Sequence, residues 1–417
     1  MILFKNIHKL INAFESSKNV IRGIQLKEIS TLNNAFLILD SGKIKSYGQM
    51  KDLNPDEKYS EEIDCSGKIV YPAYADSHTH LVYPKSRDGE FVDRIKGLGY
   101  EEIAKNGGGI LNTARSTGEI SEDELFVSGK MRLEEIIKMG TCAVEIKSGY
   151  GLSLENELKL LRAAKRLKSI SPIPIKTTFL GAHAVPQGKS KSDYVDEVIN
   201  EMLPAVDSEK LADYCDVFCD RGFFSSEDTD KILNAAAKFG MKAKIHANEL
   251  DYSGGIQIGV KNNAISVDHL ECTGEDEIKA LKSSNTIASL LPSTAFFLGM
   301  EYPPARKMIE NDLIISLASD YNPGSSPSGN MNFVLSLACI KMKLLPEEAL
   351  NASTINGAHA MELGDEIGGI YLNKKANFII SEKMNEISFI PYNFGRPSIE
   401  TIVINGKIIK KYEQAIN

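Results

Sequence analysis

The chain is poor in cysteine: six, at positions 65, 142, 215, 219, 272 and 339, are too few and too scattered for a disulfide framework in 417 residues. Cys215 and Cys219 flank a short apolar segment, but that spacing recurs nowhere else. They read as buried thiols on a strand rather than as half of a metal site, and the expected compartment is the cytoplasm. No apolar run reaches the length of a membrane span. The opening MILFKNIHKLINAF lacks the long apolar run and small-residue cleavage site of a secretory signal, so it reads as mature sequence. Positive charge is also in deficit. With 48 Lys and Arg against 56 Asp and Glu, the net charge is -8, which argues against a nucleic-acid or anionic-membrane partner. An anionic small-molecule substrate would need a local basic group to capture it.

What is present is ample apolar material. A hydrophobic fraction of 42% with 25% charged residues belongs to a globular protein with a large core, which needs no metal or disulfide merely to fold. The length suits a large barrel with a smaller unit attached. Residues 1–66 read as short strands and turns. FLILDSGKIKSYG carries a hairpin signal, as does TIVINGKIIK in the 368–417 segment. Two β-rich ends around a different middle predict one small sheet domain, a β-sandwich, built from both termini. Between them, 67–367 alternates apolar, β-branched runs with segments of helical period. The runs are 68–76, 142–149, 174–182, 214–220, 242–247, 264–270, 286–292 and 313–320. Eight strands alternating with helices predict a parallel, closed (β/α)8 TIM-like barrel. NGGGI (106–110) lies in a longer insertion after the first strand and reads as either a mobile lid or a fixed turn.

Five of the seven histidines fall where these strands end: His78 and His80, His183, His246 and His269. Asp320 closes the eighth strand. In such a barrel the C-terminal strand ends converge on one face, so these residues are expected to meet. In His78-Thr79-His80 the two imidazoles project to the same side of an extended segment and can share one cation. His246 and Asp320 would complete a nitrogen and oxygen set without sulfur, suited to zinc or iron.

DSHTHLVYPKSRDGEF, KIHANE, DHLE and ASDYNPGS together resemble the amidohydrolase superfamily. VEIKSGYGL, TTFLGAHAVP and LASDYNPGSSP are similar to the branch of it that opens an imidazolone ring bearing a propionate arm. The likeness runs from about residue 68 to 365, and the flanking sheet matches in outline. It implies that His78, His80, His246 and Asp320 bind one metal ion per chain. It further implies that Arg87, Tyr100, Tyr150, His183, Glu249, Asn322, Gly324 and Ser325 meet the substrate. The implied reaction is hydrolysis of 4-imidazolone-5-propanoate to N-formimino-L-glutamate in histidine degradation, by a metal-activated water attacking the ring carbonyl. The implied assembly is a homodimer. One departure is Ser77, where relatives often carry Pro.

Chemistry gives these residues roles. A guanidinium at Arg87 grips a carboxylate through two parallel hydrogen bonds, unless it is instead spent on Asp88 or Glu90. Tyr150 could support the same carboxylate or serve packing. Asp320 can accept a proton from the water, Glu249 can act as acid/base on the ring nitrogen, and His269 can orient the water or stabilise the oxyanion. Glu249 could alternatively support a ligand histidine. The resemblance also implies one metal rather than two: binuclear relatives usually place a bridging carboxylated lysine on the fourth strand, which here reads YCDVFCD, while Lys147 and Lys244 sit on the second and fifth. Two other readings compete. A deaminase of a related neutral ring would need no Arg87 with Tyr150, and a non-catalytic scaffold would be expected to have lost ligands.

Overall fold

A computed structural model describes residues 1–98, 102–103 and 107–411. Its centre is a sheet of eight strands, all parallel and in sequence order: β1 (Tyr74–Asp76), β2 (Thr141–Lys147), β3 (Ile175–Ala182), β4 (Tyr214–Cys219), β5 (Lys242–Ala247), β6 (Ser266–His269), β7 (Ile287–Leu290) and β8 (Ile315–Leu317). β2, for example, is buried at every position, as expected of a strand covered on both faces. Helices form between the strands where the sequence places caps. Ser121 and Glu124 make a reciprocal capping box that starts Glu122–Lys138, and Ser225 with Asp228 does the same for Ser226–Ala237.

The barrel closes without a β1–β8 ladder. Asp76 instead accepts the backbone N–H of Ser319 at 3.0 Å and its hydroxyl at 2.5 Å. Just above, Asp320 N–H donates to the His78 carbonyl and His80 N–H to the Tyr321 carbonyl. The join therefore lies beside the residues expected to do the chemistry.

Both termini contribute to a second, eight-stranded sheet. The two expected hairpins are there. Asp40 pairs with Lys43 around Ser41-Gly42, and Ile404 with Lys407 around Asn405-Gly406. All four turn residues have positive φ, the geometry of a tight two-residue hairpin. The two turns pack on each other so closely that a Cβ on Gly406 would come within 2.1 Å of Gly42 Cα, so glycine is required there for space as well as for φ.

One expected strand divides in two. In the run 68–76, Lys68–Pro72 pairs with Phe378–Lys383 in the terminal sheet, and only Tyr74–Asp76 enters the barrel. The change of partner occurs at Ala73, whose N–H points to Asn377 while that of Tyr74 points to Gly140. Part of the N-terminal stretch also leaves the sheet: Gly23 donates to the Leu313 carbonyl and Ile21 to the Asn356 side chain, which ties it to the barrel. Cys215 and Cys219 are buried, unpaired thiols on β4, and burial pushes Cys219 up to about 11.

Candidate active site

The C-terminal rim of the barrel brings four side chains to one point. His78 and His80 follow β1, His246 lies on β5 and Asp320 follows β8, and all are buried. Nε2 of His246 is 3.1 Å from Nε2 of His78 and 3.3 Å from Nε2 of His80. Asp320 Oδ1 is 3.5 Å from the first and 3.7 Å from the second of the β1 histidines. Ligands about 2.1 Å from a shared tetrahedral centre stand about 3.4 Å apart, so the spacing suits a zinc-sized ion.

Protonation makes the same case. Nδ1 of His78 bonds to Asp268 at 2.6 Å, Nδ1 of His246 to Asp216 at 3.0 Å and Nδ1 of His80 to the Ser148 carbonyl at 3.2 Å. Each Nδ1 therefore carries the proton, and each Nε2 presents a lone pair. Three lone pairs and a carboxylate oxygen aimed at one point repel one another unless a cation lies between them. The donor set fits one metal ion.

Beneath the rim is a network that the sequence reading did not foresee. Lys147, Lys244, Glu145, Asp216 and Asp268 project into the barrel, each no more than 1% exposed. Lys147 Nζ is 2.7 Å from Glu145, 2.7 Å from Asp216 and 3.5 Å from Asp268, while Lys244 pairs with Glu145. Burial alone would discharge Lys147, but the surrounding carboxylates outweigh it and hold the amine above the ordinary lysine range. Both lysines are thus committed to ion pairs. The available signal was charge inside otherwise apolar strands, since a buried charge must be paired.

The remaining expected residues surround one cavity. Arg87, Tyr150, His183, Glu249, His269, Asn322, Gly324 and Ser325 line it together with His80, His246 and Asp320. Tyr100 lies outside the described residues. Arg87 is only 8% exposed. Its Nη2 donates to the Tyr150 hydroxyl at 3.3 Å, its Nε has no hydrogen-bond partner among the described residues, and Glu90 is 3.8 Å away. A Cβ on Gly324 would lie 2.2 Å from the Arg87 guanidinium carbon, so glycine leaves room for the cation. His183 donates from Nδ1 to the Gly149 carbonyl at 2.9 Å and stacks on His80. Burial lowers it to about 3, leaving Nε2 as an acceptor.

Glu249 is held by its backbone N–H on Asp220 at 2.7 Å. Burial, then the charges of Asp320 and Asp220, raise its carboxyl well above the usual range, which suits an acid working near neutrality. The Asn322 side chain is occupied within its own loop. Its Oδ1 accepts from the N–H groups of Gly324 and Ser325 at 2.8 Å each, and its Nδ2 donates to the Asp320 carbonyl. Arg94 also lines the cavity and holds the Gly324 carbonyl at 2.8 Å. It lies two helical turns beyond Arg87, a spacing that could have been read from the sequence. The described part of NGGGI opens the helix Gly109–Glu119, and Glu90 accepts the Gly109 N–H at 3.0 Å.

A rim of histidines and an aspartate closing an eight-stranded parallel barrel, with a sheet of both termini beside it, defines a class. The chain belongs to the amidohydrolase family, whose sequence model matches residues 69–409. Within that family it belongs with the imidazolonepropionases. It is 52% identical to the imidazolonepropionase of Flavobacterium johnsoniae over 98% of this chain and 99% of that one. It is 40% identical to that of Thermoanaerobacter pseudethanolicus over 96% of each. Among solved structures it resembles in fold a zinc-bound adenosine deaminase from Xanthomonas campestris, with a TM-score of 0.72, 14% identity and coverage of 98% of this chain and 92% of that one. It likewise resembles 5-methylcytosine deaminase from Klebsiella pneumoniae, with a TM-score of 0.73, 15% identity and 98% of each chain covered.

Proposed function

We propose that the chain hydrolyses 4-imidazolone-5-propanoate to N-formimino-L-glutamate, a step in histidine degradation. The observation that carries this reading is the buried Arg87–Tyr150 pair, which faces the same cavity as His80, His246 and Asp320. The guanidinium matches the propionate arm in charge and shape, and membership among the imidazolonepropionases supports the same substrate. A deaminase of a neutral ring would leave the buried guanidinium only Glu90, 3.8 Å away, to meet its charge.

His78, His80, His246 and Asp320 would hold one zinc or iron ion, which supplies Lewis acidity and acidic water at neutral pH. The chain's own groups do the rest. Arg87 and Tyr150 hold the carboxylate, and His183 accepts a hydrogen bond from the ring. Asp320 takes up a proton from the water; burial raises its carboxyl, opposed by the Thr294 hydroxyl at 2.6 Å. Glu249 returns a proton to the departing ring nitrogen, and His269 orients the attacking water by accepting its hydrogen bond at Nε2. The loop carrying Asn322, Gly324 and Ser325 closes the far wall, with Tyr100 added to the substrate contacts. The enzyme works in the cytoplasm as a homodimer. No helix among the described residues is long and apolar enough to cross a membrane.

The test is metal analysis and imidazolone propanoate turnover on one purified sample. Stoichiometric metal with turnover is expected. A metal-loaded protein inactive on this substrate but active on a neutral amino-ring would overturn the reading in favour of a deaminase.

A further inference from the structure

Two carboxyl groups, not one, approach the free nitrogen of His269. Nδ1 of that ring is buried without a hydrogen-bond partner among the described residues. Glu249 Oε2 is 3.7 Å from it and Glu271 Oε2 is 3.9 Å. The Glu271 side chain is 2% exposed, and neither of its oxygens has a hydrogen-bond partner among the described residues. Glu157 shows how a buried carboxylate of this barrel is normally treated: it accepts the backbone N–H groups of Gly149, Gly151 and Leu152. Glu271 has no such cradle, although an unpartnered buried carboxyl destabilises a fold.

The backbone delivers Glu271 to this position. His269 and Leu270 both have left-handed φ, 84° and 73°, a costly geometry for two consecutive residues with side chains. The reversal is pinned on both sides. Leu270 N–H donates to the Ala247 carbonyl and Cys272 N–H to that of Asn248, whose side chain returns a bond to the Cys272 carbonyl at 2.9 Å. Two left-handed residues turn the chain so that the side chain two positions after His269 comes back over its ring.

We propose that Glu271 is a positioning residue: it takes the Nδ1–H of His269 when Glu249 turns to the substrate, so that Nε2 of His269 remains a lone pair throughout the reaction. The idea rests on the function proposed above. A single carboxyl could not both orient His269 and serve the ring nitrogen, because accepting the Nδ1–H would hold it away from the substrate. With two, Glu249 is released and the imidazole keeps its tautomer. Burial first, then the charge of Glu249, raises the Glu271 carboxyl well above its usual range, consistent with two acids that avoid being ionised together.

The experiment has two arms. In the kinetic arm, Glu271→Leu should lower kcat about 10- to 100-fold, with KM and metal content unchanged and the melting temperature equal or higher, because an unpaired buried carboxyl has gone. Glu271→Gln keeps one acceptor oxygen and should recover most of the rate. Wild-type kcat in Glu271→Leu would overturn the proposal. So would a rate loss accompanied by lower stability and not rescued by Gln, which marks a structural role. The second arm needs no turnover. In zinc-loaded Glu249→Ala protein, the His269 Nδ1–H, assigned by its loss in His269→Gln, should remain visible by NMR as a slowly exchanging proton. It should vanish when Glu271→Leu is added, and its persistence would overturn the proposal. Wild type inactive on the substrate would count against the proposed function, while this arm would still decide the role of Glu271.

Discussion

Lys147 and His246 share a single carboxylate oxygen: Asp216 Oδ2 lies 2.7 Å from the ammonium and 3.0 Å from the imidazole Nδ1. The orientation of a rim histidine is thereby tied to a charge deep in the barrel. Lys147→Met should destabilise the fold by about 3–5 kcal/mol, the usual cost of stranding a buried partner. Chemical denaturation would measure it, and a loss below about 1 kcal/mol would mean that the network relaxes without the amine.

His80→Ala and His246→Ala should each strip most of the bound metal and abolish turnover, since three donors hold a cation far more weakly than four. Elemental analysis after dialysis reads the first effect. A second, independent sign is a smaller rise in melting temperature on adding metal than wild type displays.

Glu249→Gln should keep the metal and slow the reaction by roughly 10²- to 10⁴-fold, the range for losing a general acid. A near-normal rate at full metal content would take Glu249 off the reaction path.

Arg87→Ala should cost about 2–5 kcal/mol, or roughly 30- to 5,000-fold in kcat/KM, with metal content unchanged. Even Arg87→Lys should bind worse, because an ammonium lacks the planar fork. The control is an analogue without the carboxylate, which should be indifferent to the change. Equal losses on both compounds would assign Arg87 to the fold.

Gly324→Ala tests the same subsite from the other wall. The new methyl would sit 2.2 Å from the guanidinium carbon and must displace Arg87, so KM should rise several-fold while metal binding is untouched. Steady-state kinetics settles it, and an unchanged KM would show that the loop yields instead.

The rim was legible because strand ends announce themselves: an apolar run stops, and a His or Asp follows. Family likeness then named the cavity residues that spacing alone could not, such as Tyr150 and Gly324. The supporting charges were missed for the opposite reason. Asp216, Lys244 and Asp268 lie within runs that read simply as buried strand, and their partners on neighbouring strands are distant in sequence. Asn322 was legible as a cavity residue, but not as one whose amide is spent on its own loop, because that depends on φ and ψ. The divided run 68–76 was invisible because both halves are equally apolar; only the competing partners at Asn377 and Gly140 separate them.

The seam beside β1 has a mechanical consequence. The first and last barrel strands share no ladder and are joined by Asp76 on Ser319 and by the backbone around His78 and Asp320. The donors from the two sides of that gap, His78 and His80 on one and Asp320 on the other, are those that would grip a single ion. A cation held there is a rivet as well as a reagent: it fastens the first-made edge of the cylinder to the last, and extracting it should let the wall part along this line before anywhere else.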